Sequence, residues 1–314
     1  MAKNFAITGV GGYIAPRHLQ AIKATGNNLI AALDPHDAVG IMDQYFPYAY
    51  FFTEPERFDR HLEKLKRAGD GNKVDYISIC SPNYLHDAHI RMALRLDANA
   101  ICEKPLVLNP ANLDLLKDIE AETGKKVFNV LQLRLHPAMV GLKEKFVKTG
   151  NRAQIELTYV TSRGNWYLYS WKGNEERSGG LASNIGIHFF DMLLWIFGKM
   201  EQNLLFYSDP KTQSGYIQLE HADVRWFLSI DEGNLPKNAK ESGKRTYRSI
   251  KIDGNELEFS EGFADLHTKI YENVLANRGF GIDDAREAIK LVYNLRYATP
   301  VSAINNQKHP YLFL

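Results

Sequence analysis

Up to about residue 130 the chain alternates short apolar runs with amphipathic segments, and this alternation limits the fold more than any other feature. The apolar runs have the length of buried strands, and helix patterns such as Tyr84–Leu96 and Asn109–Thr123 lie between them. Strands that alternate with helices predict βαβ units, and therefore a parallel sheet with helices on both faces. The predicted strands are Asn4–Thr8, Asn28–Leu33, Asp75–Cys80, Ala98–Cys102 and Lys126–Leu131.

Beyond about residue 150 the pattern changes to longer runs in which apolar and polar residues alternate. The runs Ile155–Ser162, Tyr216–Glu220 and Val224–Asp231 predict strands of a mostly antiparallel sheet with one covered face. Helix patterns accompany them at Leu181–Phe197, Phe263–Asn277 and Asp283–Tyr297. A chain of 314 residues suits two domains, each with its own core. The sequence therefore predicts an α/β domain followed by an α+β domain with a large, mostly antiparallel open sheet.

A glycine-rich turn, formed by Gly9, Gly11 and Gly12, follows the first predicted strand and precedes a helix. A dinucleotide-binding turn requires this context, because the glycine backbone approaches a pyrophosphate that the helix N-terminus stabilises. Tyr13 and Ile14 complete the turn, and Ile14 occupies the place of the usual third glycine. The pattern predicts a cofactor contact at these five residues, with an ordinary glycine-rich turn as the alternative.

Asp34 ends the second predicted strand, where a carboxylate accepts hydrogen bonds from the adenosine ribose hydroxyls of a dinucleotide. Its charge repels a 2′-phosphate, and Pro35-His36-Asp37 contains no arginine that would bind one. With the glycine turn, Asp34 predicts a Rossmann domain at residues 1–131 that prefers NAD to NADP. In the alternative interpretation, Asp34 only caps the turn before the proline.

Two further predicted strands end in polar motifs. Ser81, Asn83 and His86 follow the strand that ends at residue 80, and Glu103 and Lys104 follow the strand that ends at residue 102. Ligands of open α/β sheets bind at the carboxyl ends of the strands. We therefore predict that these five residues contact the cofactor or fix its loops, and that Lys104 reaches its reactive end.

The motifs resemble those of the Gfo/Idh/MocA oxidoreductases, the family of glucose–fructose oxidoreductase and inositol dehydrogenase. That family has a glycine-rich first turn, S/T-P-N-x-x-H, E-K-P and a later G-x-H-x-x-D on a helix. Each motif is short, but their order and spacing over the whole chain are specific. The resemblance implies a Rossmann domain and an NAD-dependent sugar dehydrogenase that acts on CH–OH groups. The matching residues are Ser81-Pro82-Asn83 with His86, Glu103-Lys104-Pro105, and Gly186-Ile187-His188 with Asp191.

A closer resemblance is to the UDP-N-acetyl-2-amino-2-deoxyglucuronate dehydrogenases, also called UDP-N-acetylglucosaminuronate 3-dehydrogenases, of lipopolysaccharide O-antigen biosynthesis. It rests on the segments Gly12–His18, Leu131–Pro137, Ser170–Gly173 and Ser178–Asp191. It implies NAD-dependent oxidation of the C3 hydroxyl of UDP-N-acetylglucosaminuronic acid to a 3-keto sugar. It also implies 2-oxoglutarate as a partner, because in some relatives that compound reoxidises the bound cofactor.

For the chemistry we predict Lys104 as the proton acceptor and His188 as the second catalytic residue. Asn184, His188 and Asp191 share one face of a predicted helix. Asn184 stands where many family members have aspartate, and an amide can bind a sugar hydroxyl but cannot take its proton. Gln132 and Trp171 are added to the predicted cofactor contacts. The predicted substrate-binding residues are Lys104, Arg163, Asn165, Tyr169, Asn184 and His188.

Arg163 is the predicted partner of a substrate carboxylate, because a guanidinium binds a carboxylate through two parallel hydrogen bonds. Arg134 is the alternative, unless its role is structural. The segment Arg163–Gly180 is rich in aromatic residues and glycine and leads into the helix of His188, so we predict a substrate loop. The polar residues on that helix lack the anionic ligands typical of a metal site, and no metal is expected.

Composition narrows the cellular context. Lys and Arg total 38 and Asp and Glu total 37, so the chain lacks the positive surplus that nucleic-acid binding needs. Cys80 and Cys102 lie in apolar runs and predict reduced core thiols. No signal peptide is visible, and the apolar stretch Phe189–Phe197 is too short for a membrane span. We expect a cytoplasmic protein without nucleic-acid or membrane partners. We also expect a homotetramer that pairs the sheets of residues 132–314. Apolar residues such as Trp226 need cover there, and the family resemblance implies such pairing.

Two other functions stay open at this point. A dehydrogenase of a free sugar or of inositol would use the same chemistry without contacts to a nucleotide diphosphate. A non-catalytic, dinucleotide-binding sensor would lack the acid–base residues, whereas Lys104 and His188 are both present.

Overall fold

The computed structural model describes residues 2–69, 71–149, 152–257, 265–302 and 304–313. The chain divides into two compact units. The first comprises Met1–Leu135 and Phe263–Arg286, and the second comprises His136–Gly262 and Glu287–Leu314. The sequence predicted a single boundary after residue 131, with residues 132–314 in one domain. The structure corrects this, because a late segment of the chain returns to the first unit.

A six-stranded sheet forms the centre of the first unit. Its strands are β1 (Asn4–Thr8), β2 (Asn28–Leu33), β3 (Tyr50–Phe52), β4 (Tyr76–Ile79), β5 (Asn99–Cys102) and β6 (Val127–Asn129). All neighbours are parallel, in the order β3-β2-β1-β4-β5-β6. This is the doubly wound order of a dinucleotide-binding fold. The sequence predicted every one of these strands except β3, whose three residues are too few to show a pattern.

Helices cover this sheet because each buries residues spaced three or four apart. In the helix after β4, His86, Ile90, Ala93 and Leu94 are buried, and this spacing places them on one face. The helix after β1 has Pro16 in its first turn. Proline has no N–H, and no hydrogen bond is lost there because first-turn N–H groups have no partner within the helix. The helices are α1 (Ala15–Ala24), α2 (Val39–Tyr45), α3 (Pro55–Arg67), α4 (His86–Arg95) and α5 (Ala111–Thr123).

The second unit also contains a six-stranded sheet. Its strands are β7 (Ala153–Thr161), β8 (Met200–Ser208), β9 (Thr212–Leu219), β10 (Ala222–Ser229), β11 (Thr246–Ile252) and β12 (Asn255–Glu256). The order is β12-β11-β7-β10-β9-β8, and all neighbours are antiparallel except the parallel pair β7 and β10. The sequence predicted β7, β9 and β10. It missed β8, β11 and β12. β8 is an edge strand that is exposed along much of its length and therefore lacks a clear apolar alternation.

The apolar helix Ile187–Phe197 packs on this sheet. Its Phe190 meets Trp226 of β10 edge-on, with ring centroids 5.4 Å apart. The helical stretch Glu175–Phe197 is long and apolar enough to span a membrane, contrary to the expectation from sequence, but 83% of its most apolar window is buried inside the protein. Core helices of globular proteins meet the same criterion. The helices of this part of the chain are α6 (Pro137–Thr149), α7 (Trp166–Tyr169), α8 (Glu175–Ser178), α9 (Ile187–Phe197) and α10 (Lys237–Glu241).

The last two helices are α11 (Leu266–Leu275) and α12 (Ile282–Tyr297). Ile270, Tyr271 and Val274 of α11 are buried in the same core as β1 and α1. This burial is the reason that α11 belongs to the first unit. The sequence pattern predicts such a helix but does not say which core receives its apolar face.

Candidate active site

The glycine turn and Asp34 meet at the carboxyl edge of the first sheet. The Gly9 N–H donates to Leu33 O (2.7 Å), and the Gly11 N–H donates to Asp34 Oδ2 (2.8 Å). Gly9 has a φ of +74°, and a Cβ on it would lie 2.6 Å from the backbone that follows β4. A residue with a side chain would clash there, so the close packing of the turn against β4 depends on glycine.

These residues fit the cofactor predicted from the sequence. Within the described part of the chain, no side chain caps the N-terminus of α1, which leaves that helix end suited to a pyrophosphate. Tyr13 is exposed beside it, and Ile14 is its N-cap residue. Asp34 Oδ1 also accepts from the His36 N–H (3.0 Å), so the turn-capping role is present too. Each carboxylate oxygen keeps a second lone pair for a ribose hydroxyl.

Ser81, Asn83 and His86 follow β4 and are buried. His86 is 1% exposed, with Nδ1 2.7 Å from Pro105 O and Nε2 2.8 Å from Ser81 O. Both partners are main-chain carbonyls, which only accept. Burial lowers the pKa of His86, and a neutral imidazole donates through one ring nitrogen only, so the ring donates to one carbonyl and packs against the other, between the loop after β4 and the loop after β5. Of the two predicted roles, the geometry therefore assigns His86 to fixing the loop. Ser81 Oγ lies 2.8 Å from His89 Nδ1, and burial lowers the pKa of His89 to about 4.

Lys104 is half-buried directly after β5, at the same sheet edge as the glycine turn, and its peptide bond to Pro105 is cis. Its own N–H donates to Glu103 Oε2 (3.3 Å). The Asn129 side chain donates to Cys102 O (2.9 Å) and to Glu103 O (3.3 Å). The backbone on either side of Lys104 is therefore fixed by hydrogen bonds.

The Glu103 carboxylate lies in a buried network that the sequence did not reveal. Its Oε1 is 2.9 Å from His18 Nε2 and 3.2 Å from His267 Nε2. His18 Nδ1 is 2.8 Å from Tyr271 Oη, which is 2.6 Å from Ser78 Oγ. His267 follows Glu103 by 164 residues, so no local pattern links them. Glu103 was predicted to contact the cofactor; its Oε1 instead binds these histidines.

The hydrogen bonds fix where the protons lie. Burial raises the pKa of Glu103, but the bonds from His18 and His267 outweigh it and hold that pKa well below its usual range. An ionised Glu103 only accepts, so both histidines carry a proton on Nε2. Burial lowers the pKa of His18, and its bare Nδ1 accepts from Tyr271, whose pKa burial raises. The network is a chain of donors that ends at an ionised Glu103.

Among the described residues, His18, Glu103 and His267 also form a group whose ligand atoms lie within 4.8 Å of one another, close enough to hold a metal ion. A structural zinc site has four protein ligands, and a catalytic one has three with an open position for water. This group is buried and offers three ligand atoms, each of which is engaged in the hydrogen bonds described above. The hydrogen bonds account for the cluster without an ion.

Gln132 and Arg134 lie in the 3₁₀ turn Gln132–Leu135. Gln132 Oε1 is buried without a hydrogen-bond partner among the described residues, which fits the predicted contact to a ligand. Arg134 is 7% exposed and donates to Asp284 Oδ1 (2.9 Å) and Asp284 O (2.7 Å). Arg134 therefore has the structural role, and Arg163 stays the predicted partner of a substrate carboxylate.

In the second unit, Asn184 lies in a π-helical turn, Ala182–Gly186, that leads directly into α9. Such turns recur at functional sites. Asn184 is buried and its Nδ2 donates to Tyr167 Oη (2.6 Å). His188 is half-buried and Asp191 is buried. The regular helical spacing predicted from the sequence is therefore widened between Asn184 and His188.

The segment before α9 brings two cations near each other. Burial and the charge of Arg163 both lower the pKa of Lys172. The Lys172 ammonium lies 4.5 Å from the centroid of the Trp171 ring and 5.7 Å from that of Trp166. Two cations that repel one another beside aromatic faces offer a favourable place for an anion.

The predicted site residues thus fall into two groups, one in each unit. The first group lies along the carboxyl edge of the parallel sheet and includes the glycine turn, Asp34 and Lys104. Trp171, predicted as a cofactor contact, belongs to the second group. Asn165 and Tyr169 in that group are exposed. Lys172 and Tyr167 were not predicted, although both lie in the loop that the sequence singled out. The second group is Arg163, Asn165, Tyr169, Trp171, Asn184 and His188.

The doubly wound sheet, the glycine turn and Asp34 define the first unit as the NAD-binding Rossmann domain of an oxidoreductase. Residues 3–130 match the family model described as an oxidoreductase family with an NAD-binding Rossmann fold. Residues 150–235 match that family's C-terminal alpha/beta domain. The chain belongs to this family, the Gfo/Idh/MocA oxidoreductases. The family and the cofactor predicted from the sequence are confirmed.

Among solved structures, the chain is similar to the WlbA (WbpB) dehydrogenase of Thermus thermophilus in complex with NAD and UDP-GlcNAcA. The two are 52% identical, with a TM-score of 0.95, over 98% of this chain and 99% of that one. The same dehydrogenase in complex with NAD and alpha-ketoglutarate matches at 53% identity, with the same TM-score and coverage. The WlbA dehydrogenase of Bordetella pertussis shares the fold at 18% identity and a TM-score of 0.74, covering 96% and 98% of the two chains.

Curated relatives match over shorter regions. D-Glucoside 3-dehydrogenase of Escherichia coli is 29% identical over 129 residues, which are 40% of this chain and 36% of that protein. The putative oxidoreductase YteT of Bacillus subtilis is 26% identical over 157 residues, 49% of this chain and 36% of that protein. The match thus spans little more than a third of the length of these two relatives.

Proposed function

We propose that this protein oxidises the C3 hydroxyl of UDP-N-acetylglucosaminuronic acid to a ketone, with NAD as the hydride acceptor. The observation that carries the proposal is the 52% identity, over 98% of the chain, to a dehydrogenase solved with NAD and UDP-GlcNAcA. The chemistry of the two units agrees with it. The first has an edge suited to NAD, and the second has cations and amide groups suited to an acidic sugar.

Lys104 is the proton acceptor in this reaction. It lies at the carboxyl end of β5, at the sheet edge that carries the glycine turn and Asp34. A neutral lysine amine can take the hydroxyl proton as the C–H bond breaks. NAD, when bound at this edge, would accept the hydride. His188 assists the proton's departure, and Asp191 orients its imidazole, as carboxylates commonly do for histidine.

The second unit recognises the sugar acid. Arg163 binds the carboxylate through its guanidinium, and Lys172 adds a second positive charge to the same loop. Asn184 is oriented by Tyr167, so that its carbonyl oxygen can accept a hydrogen bond from a sugar hydroxyl. Tyr169 is 91% exposed, so its side chain can cover a bound sugar.

The proposal extends to the cellular setting. We place the reaction in lipopolysaccharide O-antigen sugar biosynthesis in the cytoplasm, with 2-oxoglutarate as the compound that reoxidises the cofactor. A similar dehydrogenase was solved with NAD and alpha-ketoglutarate, which is the same compound. The homotetramer stays part of the proposal on the family resemblance alone, because Trp226 is fully buried within the chain and needs no further cover.

Mass spectrometry of the small molecules bound to the native protein, followed by turnover assays, tests this function. NADH formation is expected with UDP-N-acetylglucosaminuronic acid. UDP-N-acetylglucosamine is the matched control, because it differs only at C6, where a CH2OH group replaces the carboxylate. It should be turned over far more slowly. Equal turnover of both sugars would contradict the role of Arg163. Light scattering at the monomer mass of 35.7 kDa would contradict the tetramer.

The two alternative functions give different results in the same assays. A dehydrogenase of a free sugar or inositol would turn over the unlinked compound, and excess UDP would not compete with it. A non-catalytic sensor would bind NAD and reduce none of it with any of these substrates.

A further inference from the structure

We propose that His86 on one side, and His18 with His267 on the other, are positioning residues that hold the backbone of Lys104 for proton transfer. The inference rests on the proposed role of Lys104. All three histidines are buried, at 1%, 0% and 4% exposure.

The first contact lies on the carboxyl side of Lys104. His86 Nδ1 is 2.7 Å from the carbonyl oxygen of Pro105, and Nε2 is 2.8 Å from the carbonyl oxygen of Ser81. These loops follow neighbouring strands, β4 and β5. A ring that donates to one of these carbonyls and packs against the other fixes the position of the loop after β5 relative to the sheet edge that carries the glycine turn.

The second contact lies on the amino side. Glu103 Oε1 binds both His18 and His267, while Oε2 accepts from the main-chain N–H of Lys104 at 3.3 Å. The carboxylate thereby connects two imidazoles, from α1 and α11, to the lysine backbone. Tyr271 and Ser78 continue the chain behind His18 and lock the orientation of its ring.

The His86 contact is buried, the Glu103 carboxylate accepts from both imidazoles, and the two contacts lie on either side of one lysine. If these contacts only stabilised the fold, their loss would lower kcat equally whether or not the Lys104 side chain is present. Displacing a reacting group by about 1 Å can cost about 100-fold in rate, so loss of either contact is expected to lower kcat.

The test is a set of double-mutant cycles with the full-length protein, UDP-N-acetylglucosaminuronic acid, NAD and 2-oxoglutarate. His86→Phe removes one contact, and the nearly isosteric Glu103→Gln weakens the other. Each is made alone and together with Lys104→Met. Alone, each is expected to lower kcat by about 10- to 100-fold, with the NAD dissociation constant changed by less than about threefold. On the Lys104→Met background, each should lower the residual kcat no further.

The control is His61→Phe, because His61 belongs to α3 in the same unit and its ring packs, tilted, against Tyr50 and Phe52. It should keep wild-type kcat. An equal loss of kcat with and without Lys104 would overturn the proposal, because it indicates a general structural role. An unchanged kcat in both single variants would overturn it as well. If Lys104→Met itself keeps full turnover, the assigned role of Lys104 fails, and the positioning proposal fails with it.

Discussion

Replacing Gly9 by alanine should damage the protein through two separate effects that the structure distinguishes. Gly9 has a φ of +74°, and its added Cβ would lie 2.6 Å from Cys80 C, Cys80 O and Ser81 N. An L-residue in the left-handed region costs about 1–2 kcal/mol. Overpacking against backbone that cannot move aside costs about 1–3 kcal/mol more. The expected loss in the free energy of unfolding is therefore about 2–5 kcal/mol.

Gly26→Ala is the matched control. Gly26 has nearly the same φ, +71°, but nothing lies within 4 Å of its added Cβ. It should lose only the conformational part, about 1–2 kcal/mol. Urea unfolding of both cofactor-free variants measures the difference, and calorimetric titration measures NAD affinity. Gly9→Ala should weaken NAD binding by about tenfold or more, since the turn must shift, whereas Gly26→Ala should leave it unchanged. Identical unfolding free energies and NAD affinities for the two variants would refute the reasoning.

Lys104→Met should lower turnover by about 10²–10⁴-fold, because a general base contributes that much to the rate. NAD affinity should stay within about threefold, because the contacts to NAD lie elsewhere. If Lys104→Met keeps wild-type turnover and His188→Asn is inactive, His188 is the proton acceptor. NAD should bind cofactor-stripped protein more tightly than NADP because Asp34 repels the 2′-phosphate, and equal affinities would contradict that role. Burial lowers the pKa of His309 to about 3, and its Nδ1 already accepts from the Tyr311 N–H. Its folded pKa lies below the unfolded value of 6.5, so the unfolded chain binds the extra proton and stability falls as the pH drops from 6.5 towards 3. The urea midpoint of His309→Gln should vary less over that range, and a curve parallel to wild type would disprove the assignment.

The sequence by itself determined the class of fold and the cofactor. The bounds of β1 and β2 were predicted as the structure has them, and the glycine turn and Asp34 were placed at their carboxyl ends. These features could be read because strand periodicity, a turn and a helix start are local, and a parallel sheet brings the ends of its strands to one edge. The resemblance of short motifs, in their order, then supplied the family.

Only the tertiary structure decided what the buried polar residues do. Glu103 meets His267 from 164 residues away, and the return of α11 to the first unit makes this contact. Arg134 is paired with Asp284, 150 residues later, which removes it from the substrate-binding candidates. The π-helical turn at Asn184 likewise departs from the regular helix that the sequence pattern predicts. Hydrogen bonds between distant segments leave no periodic trace in the sequence, because each partner is a single polar residue whose pairing depends on how the apolar faces pack.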